Sequence, residues 1–177
     1  MIRLFAALSV PVEFGRTLQL RQAGIEGARW RPLEALHVTL RFFGELRQDV
    51  ARDLDAELVG IGGRPFEIEL AGAGAFDDGD DIHAVWAGVA ENAELRRLAE
   101  ACETAARRAG LKPEKRSYRP HVTLAYLRRP DPGEVAAWIQ ANNLLKSPPI
   151  LVDRFGLYSS HQSRDGSYYR LEAEYPL

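Results

Sequence analysis

Apolar positions along this chain alternate between runs of strand length and stripes of helical period. Ile2–Leu8 is a short apolar run that reads as a strand, and Pro11 follows where a helix can begin. Phe14, Leu18 and Leu20 give Glu13–Ala23 a helical pattern that Gly24 breaks. His37–Phe43, rich in β-branched and aromatic residues, predicts a strand closed by Gly44, and Val50, Leu54, Leu58 and Ile61 then recur at helical spacing. Phe66–Leu70 and Ile82–Val89 predict two more strands. Asn92–Ala109 predicts a helix with an apolar stripe through Leu95, Leu98 and Cys102, stopped by Gly110. Strands at His121–Leu127, Ile150–Tyr158 and Tyr168–Tyr175 and a helix at Pro132–Ala141 complete the chain. The order β-α-β-α-β, then β-α-β-α-β-β, reads as a duplicated unit. With no Gly/Ser linker between halves, the expectation is one bilobal α+β domain over residues 1–177, with mainly antiparallel sheets and flanking helices.

Composition narrows the function classes. Hydrophobic residues make up 46% of the 177, enough for a real core, and a net charge of −2 argues against bulk electrostatic coating of nucleic acid. Any RNA would be read at a local patch. Cys102 is the single cysteine, which excludes an intramolecular disulfide and a thiolate metal cluster and predicts a buried free thiol. The apolar N-terminus ends at Pro11 and Glu13 with no cleavage site, and nothing approaches a membrane span, so a cytoplasmic protein without membrane contact is expected.

The candidate chemistry lies in a repeated word. His-Val-Thr-Leu occurs at His37–Leu40 and again at His121–Leu124, each on the third predicted element of its half. Side chains alternate along a strand, so His37 and Thr39 share one face and Val38 and Leu40 the other; the second copy behaves alike. Halves packed face to face would bring two imidazoles and two hydroxyls to one central cleft. That set suits in-line displacement at a phosphodiester: one imidazole takes the proton of the attacking water and the other protonates the leaving ribose oxygen. The threonine hydroxyls can donate to non-bridging oxygens. Neither histidine has a second His, Asp or Glu at ligand spacing, so no metal and no cofactor are expected. Asp77, Asp78, Asp80 and Asp81 before His83 do not fit a calcium loop and read, like His161, as surface loop.

These motifs, with RLFAAL at the start, LHVTLRFFGE at Leu36–Glu45, RPHVTLAY at Arg119–Tyr126 and the tail from Leu157 to Leu177, resemble the 2H phosphoesterase superfamily. The likeness is to its RNA 2′,3′-cyclic phosphodiesterase branch, also described as 2′-5′ RNA ligases. The resemblance implies a two-lobed α+β fold and a metal-independent enzyme that opens a terminal RNA 2′,3′-cyclic phosphate, or a cyclic nucleotide, to a 2′-phosphate. It implies His37 as proton donor, His121 as proton acceptor, and Thr39 and Thr123 as phosphate ligands. A monomer is expected. Many relatives carry an arginine where this chain has Tyr126. That departure keeps open an RNA-end binding module with weakened catalysis, beside 2′-5′ ligation by the same site.

Strict alternation adds further expectations. Arg41 and Phe43 fall on the face of His37, as a phosphate contact and as a packed or base-stacking aromatic, while Tyr126 falls on the core side. Six cations (Lys112, Lys115, Arg116, Arg119, Arg128 and Arg129) flank the second motif against Glu114 alone, a candidate RNA-guiding patch.

Overall fold

The computed structural model describes residues 1–177. Ten strands and four helices run β1 (Ile2–Ser9), α1 (Val12–Gln19), β2 (Arg29–Trp30), β3 (His37–Leu46), α2 (Gln48–Val59), β4 (Phe66–Ile68), β5 (Leu70–Asp77), β6 (Ile82–Val89), α3 (Ala93–Arg108), β7 (His121–Tyr126), α4 (Pro132–Asn142), β8 (Ile150–Val152), β9 (Arg154–Ser163) and β10 (Gly166–Pro176). Every pairing is antiparallel. One half of the main sheet is β10-β9-β1-β3 and the other is β7-β6-β5, with β2 on the free side of β7. The halves join through a single residue pair, Val38↔Val122.

The duplication is visible in this connectivity. β1-α1-β3-α2-β4-β5 and β6-α3-β7-α4-β8-β9 are equivalent units that exchange their last strand: β5 pairs with β6 and β9 with β1. β4 and β8, equivalent strands, pair with each other through Glu67↔Leu151. The chain offset from Val38 to Val122 equals that from Glu67 to Leu151, so both pairs sit on one pseudo-twofold axis.

Several local features depart from the sequence pattern. β3 runs through Gly44 to Leu46, because Gly44 adopts φ 81° at a register shift and the strand continues beyond it. The predicted strands Phe66–Leu70 and Ile150–Tyr158 are each split between two pairings, and β9 carries on to place His161 in a strand rather than a loop. β5 has little strand propensity in its Ala/Gly sequence. Gly74 lies beneath the Trp86 indole, where a Cβ would come within 2.5 Å of the ring. α3 forms as the pattern indicates: the Asn92 side chain accepts from Leu95 N–H (2.9 Å), and Leu95, Leu98, Cys102, Ala105 and Ala106 turn inward. The buried apolar side chains of both halves, Val38, Leu40, Val122 and Leu124 among them, form one connected core. Cys102 is buried there, its thiol pushed up to about 12 by desolvation. No helix is long and apolar enough to cross a membrane.

The closeness of Gly74 to Trp86 is testable. Gly74→Ala overpacks this contact and should lower the unfolding free energy by about 1–3 kcal/mol in denaturant titrations. An unchanged midpoint would mean the indole does not rest on the backbone.

Candidate active site

The register at the joint brings the two motifs together. Around Val38↔Val122 an antiparallel ladder sets His37 across from Thr123 and Thr39 across from His121. The imidazoles are thereby diagonal neighbours, a relation that spans roughly 7–8 Å between backbone positions. Val38 and Val122 are buried on the opposite face, while the four polar side chains are half-buried on the cleft side.

Both histidines are oriented in the same way. His37 Nδ1–H donates to the carbonyl of Ala35 (2.8 Å) and His121 Nδ1–H to that of Arg119 (2.7 Å), each two residues back. With the proton held at Nδ1, Nε2 of each ring is left as an acceptor. His37 Nε2 accepts from the Thr39 hydroxyl at 3.0 Å, and Tyr118 Oη donates to the Thr39 carbonyl at 2.9 Å.

Aromatic walls enclose each ring. Phe5 and Tyr169 pack on His37 at centroid distances of 4.9 and 5.2 Å, and Tyr158 stacks on Phe5. Phe76 and Trp86 flank His121 at 4.7 and 6.2 Å, with the Arg119 guanidinium over both aromatic rings. A cavity of about 280 Å³ opens beside His121 between Phe76, Trp86 and Arg119. The outer face of Phe76 stacks with His83, which is a β6 residue and not part of the acidic loop.

This setting disfavours the charged imidazole. Burial, opposed by the Ala35 carbonyl and reinforced by the charges of Arg31 and His121, lowers the pKa of His37 to about 4. His121 is also lowered, by burial first and then by Arg119. Both shifts favour the neutral ring at pH 7.

Three alternation-based expectations are corrected here, for one reason. β3 pairs Thr39 with Ala7 but Arg41 with Ala6, so Leu40 is an extra residue in a bulge. β7 pairs Thr123 with Trp86 but Ala125 with Val85, so Leu124 is its equivalent. Beyond each bulge the faces exchange. Arg41 turns to the back of the sheet, where it pairs with Glu103 and donates to the carbonyls of Phe42 and of Lys112 (2.8 Å). Its donors are spent on the fold, away from His37. Phe43 is buried in the core, and Phe42, opposite Phe5, takes the cleft side. Tyr126, opposite Ala84, faces the cleft with His121 and Thr123. Among the six flanking cations, Arg119 lies on the site aromatics, whereas Arg116 sits 3.5 Å from Glu114.

Sequence reasoning missed Arg31, the cation at the fork between the halves. It is only 9% exposed, follows β2, and donates through Nη2 to the Ser167 carbonyl and to Tyr169 Oη, both at 3.2 Å. Its guanidinium lies between the rings of Tyr126 (5.3 Å) and Tyr169 (5.5 Å). No periodicity marks it; the arginine precedes Pro32 in a segment without a strong pattern. No group of three or more His, Cys, Asp or Glu side chains is arranged to hold a metal ion.

Paired imidazoles on twin His-x-Thr strands, in a cleft between pseudo-symmetric halves, define a two-histidine phosphoesterase fold. The chain belongs to the 2′-5′ RNA ligase superfamily, whose family model matches residues 13–164. An RNA 2′,3′-cyclic phosphodiesterase of Aeropyrum pernix is 43% identical over 96 residues, 54% of each chain. One from Archaeoglobus fulgidus is 28% identical over 172 residues, covering 96% of this chain and 97% of the relative. The structure of E. coli LigT complexed with 3′-AMP superposes with a TM-score of 0.81 at 25% identity, covering 99% of this chain and 98% of that one. The fold of Thermus thermophilus TT0787 matches with a TM-score of 0.82 at 24% identity, over 99% of this chain and 98% of that one.

The depressed His37 pKa has a consequence for stability. The folded state resists protonation that the unfolded chain accepts near the ordinary imidazole value of 6.5, so the stability present above that pH is lost as pH falls towards 4. The loss attributable to this ring is about 3 kcal/mol. His37→Gln should therefore lose that much less stability than wild type between pH 7 and pH 4 in paired denaturant titrations. Equal losses in the two proteins would contradict a buried neutral imidazole.

Proposed function

We propose that this chain hydrolyses the 2′,3′-cyclic phosphate at an RNA 3′ end, leaving a 2′-phosphate. The observation that carries the reading is the pair of acceptor Nε2 atoms, each fixed by a backbone carbonyl at Nδ1 and each accompanied by a threonine of the same motif. The activity in the printed names of the Aeropyrum and Archaeoglobus relatives, and the 3′-AMP complex of E. coli LigT, support the same substrate class.

In this reading the phosphate lies between the imidazoles, with its non-bridging oxygens towards the Thr39 and Thr123 hydroxyls. His121 Nε2 takes a proton from water as the water oxygen bonds to phosphorus. The P–O3′ bond breaks, and protonated His37 gives its Nε2 proton to the departing O3′. The product keeps the P–O2′ bond, and proton exchange with solvent resets both rings. The bound anion favours the charged imidazole and opposes the desolvation that favours a neutral His37. No step in this scheme requires a metal.

Replacing either histidine by alanine should lower turnover of a nucleoside 2′,3′-cyclic phosphate by about 10²–10⁴-fold. Wild-type turnover should survive exhaustive chelation and follow a bell-shaped pH profile. Loss on chelation, restored by zinc or manganese, would move the assignment to a metallo-phosphodiesterase. Binding without turnover would make the chain an RNA-end binding module, and joining of two RNA ends faster than hydrolysis would make it a ligase.

A further inference from the structure

The cleft holds a buried cation whose hydrogen-bonding capacity is mostly unused. Arg31 is fixed from its backbone outwards: its N–H donates to the Leu124 carbonyl at 2.8 Å, and its own carbonyl accepts from Gln22 Nε2 at 2.9 Å. Gln22 also donates to the Leu124 carbonyl at 3.2 Å, so β2 and the second bulge are tied together at this point. Only Nη2 of the guanidinium finds protein acceptors, Ser167 O and Tyr169 Oη, leaving Nη1 and Nε without any. No carboxylate pairs with Arg31.

A largely buried guanidinium without a counter-ion is costly unless something anionic completes its surroundings. Tyr126 and Tyr169 supply ring faces and hydroxyls, which lessen that cost without supplying charge. The site's position selects the anion. Arg31 stands close enough to His37 for its charge to act on that imidazole, at the mouth between the two motifs. On the His121 side, Arg119 is spread over Phe76 and Trp86, and Arg96, which lines the same cavity, is paired with Glu91. Arg41 is already paired behind the sheet.

We propose that Arg31 is the cationic phosphate ligand of this cleft, supplied by the segment ahead of the first motif. Nη1 and Nε would donate to non-bridging phosphate oxygens while Nη2 keeps its ties to β10. Tyr126 acts as the wall that holds the guanidinium plane, and Tyr169 holds both Arg31 and the His37 ring. The inference deepens the cyclic-phosphate reading and rests on it for the identity of the anion.

The test uses Arg31→Met, Arg31→Lys and the double variant Arg31→Met/Tyr126→Arg. Arg31→Met should lower kcat/KM for a nucleoside 2′,3′-cyclic phosphate by about 10²–10³-fold, the usual effect of removing one oxyanion donor. It should also weaken binding of inorganic phosphate at least tenfold in calorimetry and raise the His37 pKa followed by NMR. Arg31→Lys should fall between wild type and Arg31→Met. The double variant should recover at least tenfold of the lost turnover, because an arginine at 126 enters the same space. If Arg31→Met unfolds at lower temperature but, when folded, binds phosphate like wild type, Arg31 is a packing residue and the proposal fails. Calorimetry separates this outcome from failure of the function. A wild type inert towards cyclic phosphate, but binding inorganic phosphate in an Arg31-dependent way, would overturn the proposed reaction and sustain the anion site.

Discussion

One antiparallel residue pair organises the cleft. Val38↔Val122 is the sole ladder contact between the halves of the main sheet, and it lies on the pseudo-twofold axis. Side-chain alternation then follows from it: both valines point into the core, and the residues on either side of each point into the cleft. A slip of one residue would bury the imidazoles and expose the valines, so core packing enforces the register that the chemistry needs. The second axial pair, Glu67↔Leu151, holds the equivalent strands β4 and β8 in step at the same chain offset. Catalytic geometry here is a by-product of packing two copies of one unit about an axis.

That economy explains what was legible in the sequence. His37, Thr39, His121 and Thr123 could be placed on one face because they precede the bulges, where a period of two still holds. Arg41, Phe43 and Tyr126 could not, because one extra residue at Leu40 and another at Leu124 exchange the faces beyond. Both bulged residues are buried leucines that look like ordinary strand positions. The duplicated unit carries its irregularity in both copies, so the bulge belongs to the motif's backbone and not to either lobe. β5 was illegible for a different reason. Its Ala/Gly sequence has little propensity of its own, and its place is set by the Trp86 indole on β6. Arg31 and Tyr169 meet across most of the chain's length, a relation that local periodicity does not encode.

The electrostatics break the symmetry that the backbone imposes. Each histidine has the same Nδ1 contact and its own arginine, yet the two arginines are held differently. Arg119 spreads over aromatic faces beside an open cavity, while Arg31 is buried between two tyrosines next to His37. The cleft is therefore more closed around His37, and its imidazole is the one driven to about 4.

That asymmetry orders the events of the proposed reaction. A donor must carry its proton before the leaving oxygen departs, and burial beside Arg31 favours the neutral His37 at pH 7. Protonating it first would set a second positive charge beside Arg31 inside a buried pocket. An entering phosphate changes the sign of the problem: its negative charge is matched by Arg31, and the imidazolium then sits next to an anion instead of next to an unpaired cation. Anion binding and proton uptake at His37 are thus linked, each raising the affinity for the other. On this argument the acid role falls to His37 only in the loaded site. His121, which needs no charge to act as base, is neutral and ready before substrate arrives.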